Sequence, residues 1–279
     1  MRALPATVLA VCGLIASACG GAGSGGATAG QAVPAAPAGQ AAPTQAPATD
    51  PSVKEPAALK PLEGKVVVID PGHNGGNYRN TKAIKRQVNV LTKWKDCDTT
   101  GTATNNGYSE AAFTWDVSNR MAKILKKRGA TVKLTRSDND SVGPCITERA
   151  AIGNKAKADA AISVHADGSA AANHGFHVIM PKKINGPVDK VVGASGKLGI
   201  AVRDAYHKGT GLPYSTYVGS KALNYRSDLG GLNLSTVPKI LVETGNMRNA
   251  TEAAKFQNPK FRQKIALALA NGLQHYLNT

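Results

Sequence analysis

The apolar positions of this chain follow two alternating periods. Residues 66–69 are Val-Val-Val-Ile, a β-branched run that reads as a strand buried on both faces. Asp70-Pro71-Gly72 closes it, because proline removes a ladder donor and glycine opens the turn. Short apolar runs at 160–164 and 240–242 have the same character and lead into His165-Ala166-Asp167-Gly168 and Glu243-Thr244-Gly245-Asn246. Residues 131–135 and 175–180 read as further strands. In the second of these Phe176, Val178 and Met180 share a face, so His177 points the other way as a structural residue.

Between these runs the period changes to that of a helix. Ser109 caps a helix opening at Glu110, with Phe113, Val117, Met121 and Leu125 on one face and Gly129 closing it. A short helix is expected near 147–157, and a longer one over 188–207 carrying Val191, Val192, Leu198 and Val202. Asn249 or Thr251 caps into Glu252, and a last helix from Pro259 places Phe261, Ile265, Leu269 and Leu273 at four-residue steps. Residues 74–108 and 224–236 are rich in Gly, Asn and other polar residues and read as loops, the first long enough to be functional or pinned. Strands alternating with helices predict an α/β fold: one domain over 62–279, with a mostly parallel twisted sheet flanked by helices on both faces.

The first 61 residues have a different composition. Residues 1–18 combine Arg2, an apolar run at 8–15 and the small triplet Ala16-Ser17-Ala18, which is an export signal too short to span a bilayer. Cys19 follows at once. Ala-Ser-Ala-Cys-Gly resembles the lipobox of bacterial lipoproteins, although Ala16 stands where Leu or Val is preferred; the alternative is ordinary cleavage with Cys19 incidental. Residues 19–61 form a Gly/Ala/Pro-rich linker with no periodic apolar pattern, expected to be a disordered tether. A membrane-tethered lipoprotein is therefore expected, with simple secretion as the alternative.

Beyond the signal region only Cys97 and Cys145 remain, and in an exported chain they are expected to form a disulfide. Neither has a His or Cys at ligand spacing, so a cysteine zinc cluster is not supported.

His73 stands just past the first strand, and His165 and Glu243 at the ends of two others. If those strands are parallel neighbours, all three residues open onto the sheet edge where α/β proteins bind ligands. Glu110 at a helix's first turn could simply complement the helix dipole.

Four blocks in order, VVVIDPGHNGG, SEAAFTW, SVHADGS and ILVETGNMRN, resemble the zinc-dependent N-acetylmuramoyl-L-alanine amidases of the Amidase_3 type. The likeness covers essentially 62–279 and is greatest to the short mycobacterial and actinobacterial form, with its cysteine pair and RSDLGGLNL-like loop. The resemblance implies that His73, Glu110 and His165 bind one Zn2+ while Glu243 works on the attacking water. Two imidazoles and one carboxylate with an open position are also the ligand set expected of a hydrolytic zinc site. One departure concerns Asp167, where many relatives carry Asn, which puts a substrate contact by that amide in doubt.

Charge narrows the partners. Lys plus Arg number 34 against 18 Asp plus Glu, a net charge of +16 spread along the domain. No aromatic-rich basic stripe or RNA-binding motif accompanies it, so nucleic acid is excluded in favour of anionic envelope polymers. The expected protein is a monomeric peptidoglycan hydrolase. It would act on peptidoglycan or muropeptides at the N-acetylmuramic acid to L-alanine amide, in cell-wall turnover or cell separation. A zinc peptidase or deacetylase on wall fragments, or a non-catalytic wall-binding module, are the alternatives; the last should have lost one of His73, Glu110, His165 or Glu243, and all are present.

Overall fold

The structure, a computed structural model, describes residues 60–279. The export signal, Cys19 and the linker up to residue 59 lie outside the described residues. In chain order the elements are β1 Val66–Pro71, α1 Thr81–Ile84, β2 Gln87–Asn89, β3 Trp94–Asp96 and α2 Glu110–Lys127. They continue with β4 Thr131–Leu134, α3 Ile146–Lys155, β5 Ala160–Asp167, β6 His177–Pro181 and α4 Val192–Thr210. The last are β7 Leu223–Arg226, α5 Gly230–Asn233, β8 Lys239–Asn246, α6 Ala250–Gln257 and α7 Pro259–Leu277.

Six strands form one sheet in the order β4-β1-β5-β8-β6-β7. The block from β4 to β8 is parallel, β6 runs antiparallel to β8, and β7 is parallel to β6. The expected α/β architecture is therefore present, with β6 reversing direction beside the site. One face carries the main core, in which Val67, Ile69, Ile162, Val164, Ile240 and Val242 meet Phe113, Val117, Met121 and Leu125 of α2. Leu198 and Val202 of α4, and Ile265, Leu269 and Leu273 of α7, complete it. Glycines let α4 and α7 lie close: a Cβ on Gly272 would fall 2.6 Å from Val202 Cα, and one on Gly209 2.6 Å from Ala268 Cβ. The other face holds a smaller cluster of Val68, Ala158, Ala161 and Val237, with Ile152 of α3 against it. No helix among the described residues is long and apolar enough to cross a membrane.

Differences from the sequence reading lie in the connections. The stretch 74–108, expected as a loop, holds α1 and the two-stranded antiparallel β2-β3 sheet. Three-residue strands are too short to show a period, and what fixes this hairpin is tertiary: Thr92 Oγ1 donates to Ser227 O at 2.7 Å, and the Cys97–Cys145 disulfide ties its base to the start of α3. Likewise 224–236 contains most of β7 and all of α5. The helix expected over 188–207 begins at Val192, because Pro187–Lys190 forms a 3-10 turn, and it ends past His207 where Gly211 takes φ +73°.

Candidate metal centre

Three elements deliver three side chains to one point. β1 ends at Pro71, and His73 follows in a left-handed conformation, φ +57°, which only a tightly held turn keeps in a residue with a Cβ. The carbonyls around it are clamped from below. Arg136 Nε donates to Pro71 O at 3.0 Å, Arg149 Nη1 to Pro71 O at 2.7 Å and Arg149 Nη2 to His73 O at 3.0 Å. Glu110 opens α2, whose cap Ser109 accepts from Ala112 N at 3.3 Å, so its carboxylate lies at the positive end of the helix. His165 lies near the end of β5.

Glu110 stands between the two imidazoles. His73 Nε2 is 3.1 Å from Glu110 Oε2, and His165 Nδ1 is 2.9 Å from Glu110 Oε1. The remaining carboxylate capacity accepts Thr102 N at 3.0 Å and Ala166 N at 3.1 Å. His73 Nδ1 faces the Thr99 carbonyl oxygen at 3.1 Å and Asp98 Oδ1 at 3.4 Å. A carbonyl only accepts, so Nδ1 carries a hydrogen and Nε2, facing Glu110, is the nitrogen that would offer a lone pair to a bound ion. Two glycines make the approach feasible. A Cβ on Gly72 would sit 2.4 Å from His165 Cε1, and one on Gly101 2.8 Å from Glu110 Oε2.

Ligand atoms of His73, Glu110 and His165 all lie within 4.8 Å of one another, so the set can close on a single ion. The field there calls for a cation. Burial alone would lower His73, yet the Glu110 and Asp98 carboxylates outweigh it and hold the imidazole well above its ordinary value. Burial would raise Glu110, but His73 and His165 hold it far below the usual carboxylate range. Nitrogen and carboxylate donors in this number are those of a zinc site with an open position.

Glu243 is the neighbour of this triad. In the parallel pairing of β5 and β8 it lies opposite His165, and in the antiparallel pairing of β8 and β6 it lies opposite His177. Its Oε2 is buried without a hydrogen-bond partner among the described residues. Burial, with Glu110 and Asp167 adding to it, pushes its pKa well above the ordinary value. His177 does point away from the core face of Phe176, Val178 and Met180, as the alternation predicts, but the face it joins is that of Glu243. Burial lowers its pKa to about 4, so it is neutral, and its ring lies edge-on to Tyr217. Asp167 accepts from the Tyr217 hydroxyl at 2.9 Å.

Sequence reasoning missed the charges beneath the triad. Asp70 is buried and accepts from Thr135 Oγ1 and Ser163 Oγ, both at 2.6 Å, from Arg149 Nη1 at 3.0 Å and from Lys239 Nζ at 3.1 Å. Arg149 also reaches Asp98 Oδ2 at 3.2 Å, which links this network to His73. The available signal was Lys239, a cation opening the otherwise apolar strand KILV. A cavity of about 160 Å³ adjoins this floor, lined by Asp70, Asp98 and Arg149 together with His73, His165, Lys95, Ile146, Leu229, Leu232 and Leu241.

Comparison with known proteins gives consistent likenesses. Residues 67–275 match the family described as N-acetylmuramoyl-L-alanine amidase, Amidase_3. The chain is 40% identical over 220 residues to the N-acetylmuramoyl-L-alanine amidase Rv3717 of Mycobacterium tuberculosis, covering 78% of this chain and 88% of that protein. The crystal structure of the amidase Ami1 from Mycobacterium smegmatis superposes with a TM-score of 0.73 at 38% identity, over 77% of this chain and 98% of that one. Apo Ami1 of Mycobacterium abscessus gives 0.72 at 42% identity, over 77% and 100%.

Proposed function

This chain belongs to the N-acetylmuramoyl-L-alanine amidase family and is a peptidoglycan amidase; from that premise we propose that it works with one Zn2+ held by His73, Glu110 and His165, with Glu243 as its general base. The observation carrying this reading is the convergence of the three donors within 4.8 Å beside Glu243, whose buried Oε2 has no hydrogen-bond partner among the described residues. The bond cut joins the lactyl carboxyl of N-acetylmuramic acid to the stem L-alanine. Bound Zn2+ would polarise that carbonyl and lower the pKa of water toward about 7. Asp98 and the Thr99 carbonyl hold His73 in the tautomer that leaves Nε2 free, and Glu110, fixed by Thr102 N and Ala166 N, keeps its place between the imidazoles. Glu243 takes the proton from the attacking water and returns it to the leaving L-alanine nitrogen.

Metal analysis paired with mass spectrometry of digested muropeptides tests the reading. Stoichiometric zinc and whole stem peptides freed from glycan support it. Cleavage within the stem, or loss of acetyl groups from an intact stem, would make the protein a peptidase or deacetylase instead.

The family acts outside the cytoplasm. We further propose that Cys19 carries a lipid that anchors the domain to the outer side of the cytoplasmic membrane, because it follows Ala16-Ser17-Ala18 and precedes a long Gly/Ala/Pro-rich linker. Wild-type protein found free, with no lipid mass at its mature N-terminus, would leave simple secretion.

A further inference from the structure

We propose that the end of the domain opposite the metal triad is a basic face that seats on an anionic phospholipid surface, so that the triad points away from the bilayer. The inference goes beyond the Cys19 anchor and does not require it.

Backbone connections gather the cations. Leu62 N donates to Arg128 O at 2.8 Å, Thr131 N to Lys65 O at 2.8 Å and Asp159 N to Val66 O at 2.9 Å. These bonds bring segments 60–66, 126–131 and 155–160 together at the starts of β1, β4 and β5, which are parallel neighbours. The segments carry Lys60, Lys65, Lys126, Lys127, Arg128, Lys155 and Lys157, with Glu63 and Asp159 as their acids. Both acids are engaged by the backbone: Glu63 Oε2 accepts from Lys60 N at 3.2 Å and Asp159 Oδ2 from Val66 N at 2.7 Å. None of these cations forms an ion pair among the described residues, and Lys60, Lys126, Lys127, Lys155 and Lys157 are exposed. Seven cations against two carboxylates leave an excess of five positive charges at this end.

Helix dipoles do not absorb that excess. The carboxyl ends of α2 and α3 point here and favour lysines in their last turns, but each supplies only about half a negative charge. The excess is therefore available to an external anion.

The direction of the chain selects a membrane as that anion. Whatever precedes Lys60 leaves the domain at this end, so an anchor upstream presents this face to the bilayer first. The parallel strands carry His73 and His165 to their other ends, and at about 3.3 Å per residue the six residues of β1 set the triad about 20 Å beyond the basic face. The exposed large apolar side chains, Tyr78, Leu91, Trp94, Ile200, Tyr225 and Leu267, all lie outside these segments. Contact is thus with headgroups and not with hydrocarbon, and salt screens it.

The test uses the chain from Gly20 onward, which keeps the whole described domain and lacks both the leader and Cys19. Sedimentation measures its partition onto phosphatidylcholine vesicles with and without about 30% phosphatidylglycerol at low ionic strength. It is compared with a basic-face variant, Lys126→Gln/Lys127→Gln/Lys157→Gln, and with a control of equal charge loss, Lys82→Gln/Lys85→Gln/Lys260→Gln. The control lysines follow the carboxyl ends of β1 and β8, and every substituted lysine is exposed, so the three melts should coincide. The unsubstituted chain should bind the anionic vesicles alone and be released at about 0.5 M salt. The basic-face variant should bind on the order of 100-fold more weakly, at about fivefold per lysine, and the control within about threefold of the unsubstituted chain. An unsubstituted chain that ignores anionic vesicles, or two variants that weaken alike, overturns the proposal. If the basic-face variant binds vesicles like the unsubstituted chain but loses retention on soluble polyglycerol phosphate, the face belongs to a wall polymer and the proposal falls. These readouts use neither activity nor acylation, so failure of the amidase mechanism or of the Cys19 anchor leaves them standing.

Discussion

Replacing Asp70 by Asn should cost the fold about 3 to 5 kcal/mol, the usual penalty for breaking a buried ion pair by removing one partner. The structure gives the reason for the upper part of that range. Asp70 is 4% exposed and is the acceptor for Lys239 Nζ at 3.1 Å and Arg149 Nη1 at 3.0 Å, themselves 2% and 3% exposed. Asn keeps the shape but loses the charge, and its amide nitrogen would turn a donor toward Lys239 or toward the hydroxyls of Ser163 and Thr135. For a domain of this size each kcal/mol shifts Tm by roughly 2 to 4 °C, so a drop of about 10 °C is expected in a thermal melt followed by circular dichroism. The pH dependence has a definite sign. Burial would raise the Asp70 carboxyl, but Lys239 and Arg149, helped by Ser163 and Thr135, hold it well below the ordinary value of 3.8. Its stabilisation is thus fully present above that value and is lost only as pH falls through the lower folded pKa. The gap in Tm between wild type and Asp70→Asn should therefore stay constant from neutral pH to about 5 and close only in strong acid. Pairing Asp70→Asn with Lys239→Met should recover part of the loss, since it removes the stranded cation. A variant melting within 2 °C of wild type at pH 7, or a gap that already closes near neutrality, would refute the reasoning.

Two further substitutions probe the site from its floor and its flank. Gly72→Ala puts a Cβ 2.4 Å from His165 Cε1 and should displace that ring, lowering zinc content and activity by tenfold or more while the melt changes little; full zinc loading in this variant would contradict the packing argument. Reduction of the Cys97–Cys145 bridge, which spans 48 residues, should remove roughly 4 kcal/mol of stability on the chain-entropy model, visible as a lower Tm with reductant than without, yet leave the metal bound; zinc released in step with thiol titration would show otherwise.

The parts of the fold that could be read from the sequence were those with a period long enough to see. β1, β5 and β8 appear as apolar runs, and α2 as a four-residue stripe from Phe113 to Leu125, because each buries a face against the same core. His73, His165 and Glu243 were visible for a related reason: each follows or closes such a run, and parallel strands bring their ends to one edge. Glu110 was ambiguous, since any acid suits the first turn of a helix, and only the distances to both imidazoles distinguish it. What stayed hidden depends on contacts between distant residues. Asp70 meets Arg149 and Lys239 across separations of 79 and 169 residues, and nothing local marks the partners. The β2-β3 hairpin and α5 are three or four residues long and are set by docking and by a disulfide. Asp98 follows a cysteine in a polar stretch, and its service to His73 becomes apparent only when Arg149 is seen holding it.

The division of labour between the two carboxylates is the centre of the account, and zinc content measured beside rate tests it most directly. Glu243→Gln should keep near-stoichiometric zinc and lose about 10² to 10⁴ in the rate of stem-peptide release, the yield of general acid-base catalysis. Glu110→Gln should lose zinc and activity together, because a neutral amide replaces the charged donor between His73 and His165. A Glu243→Gln protein that comes out metal-free, beside a Glu110→Gln protein that stays loaded but inactive, would show the two roles to be exchanged.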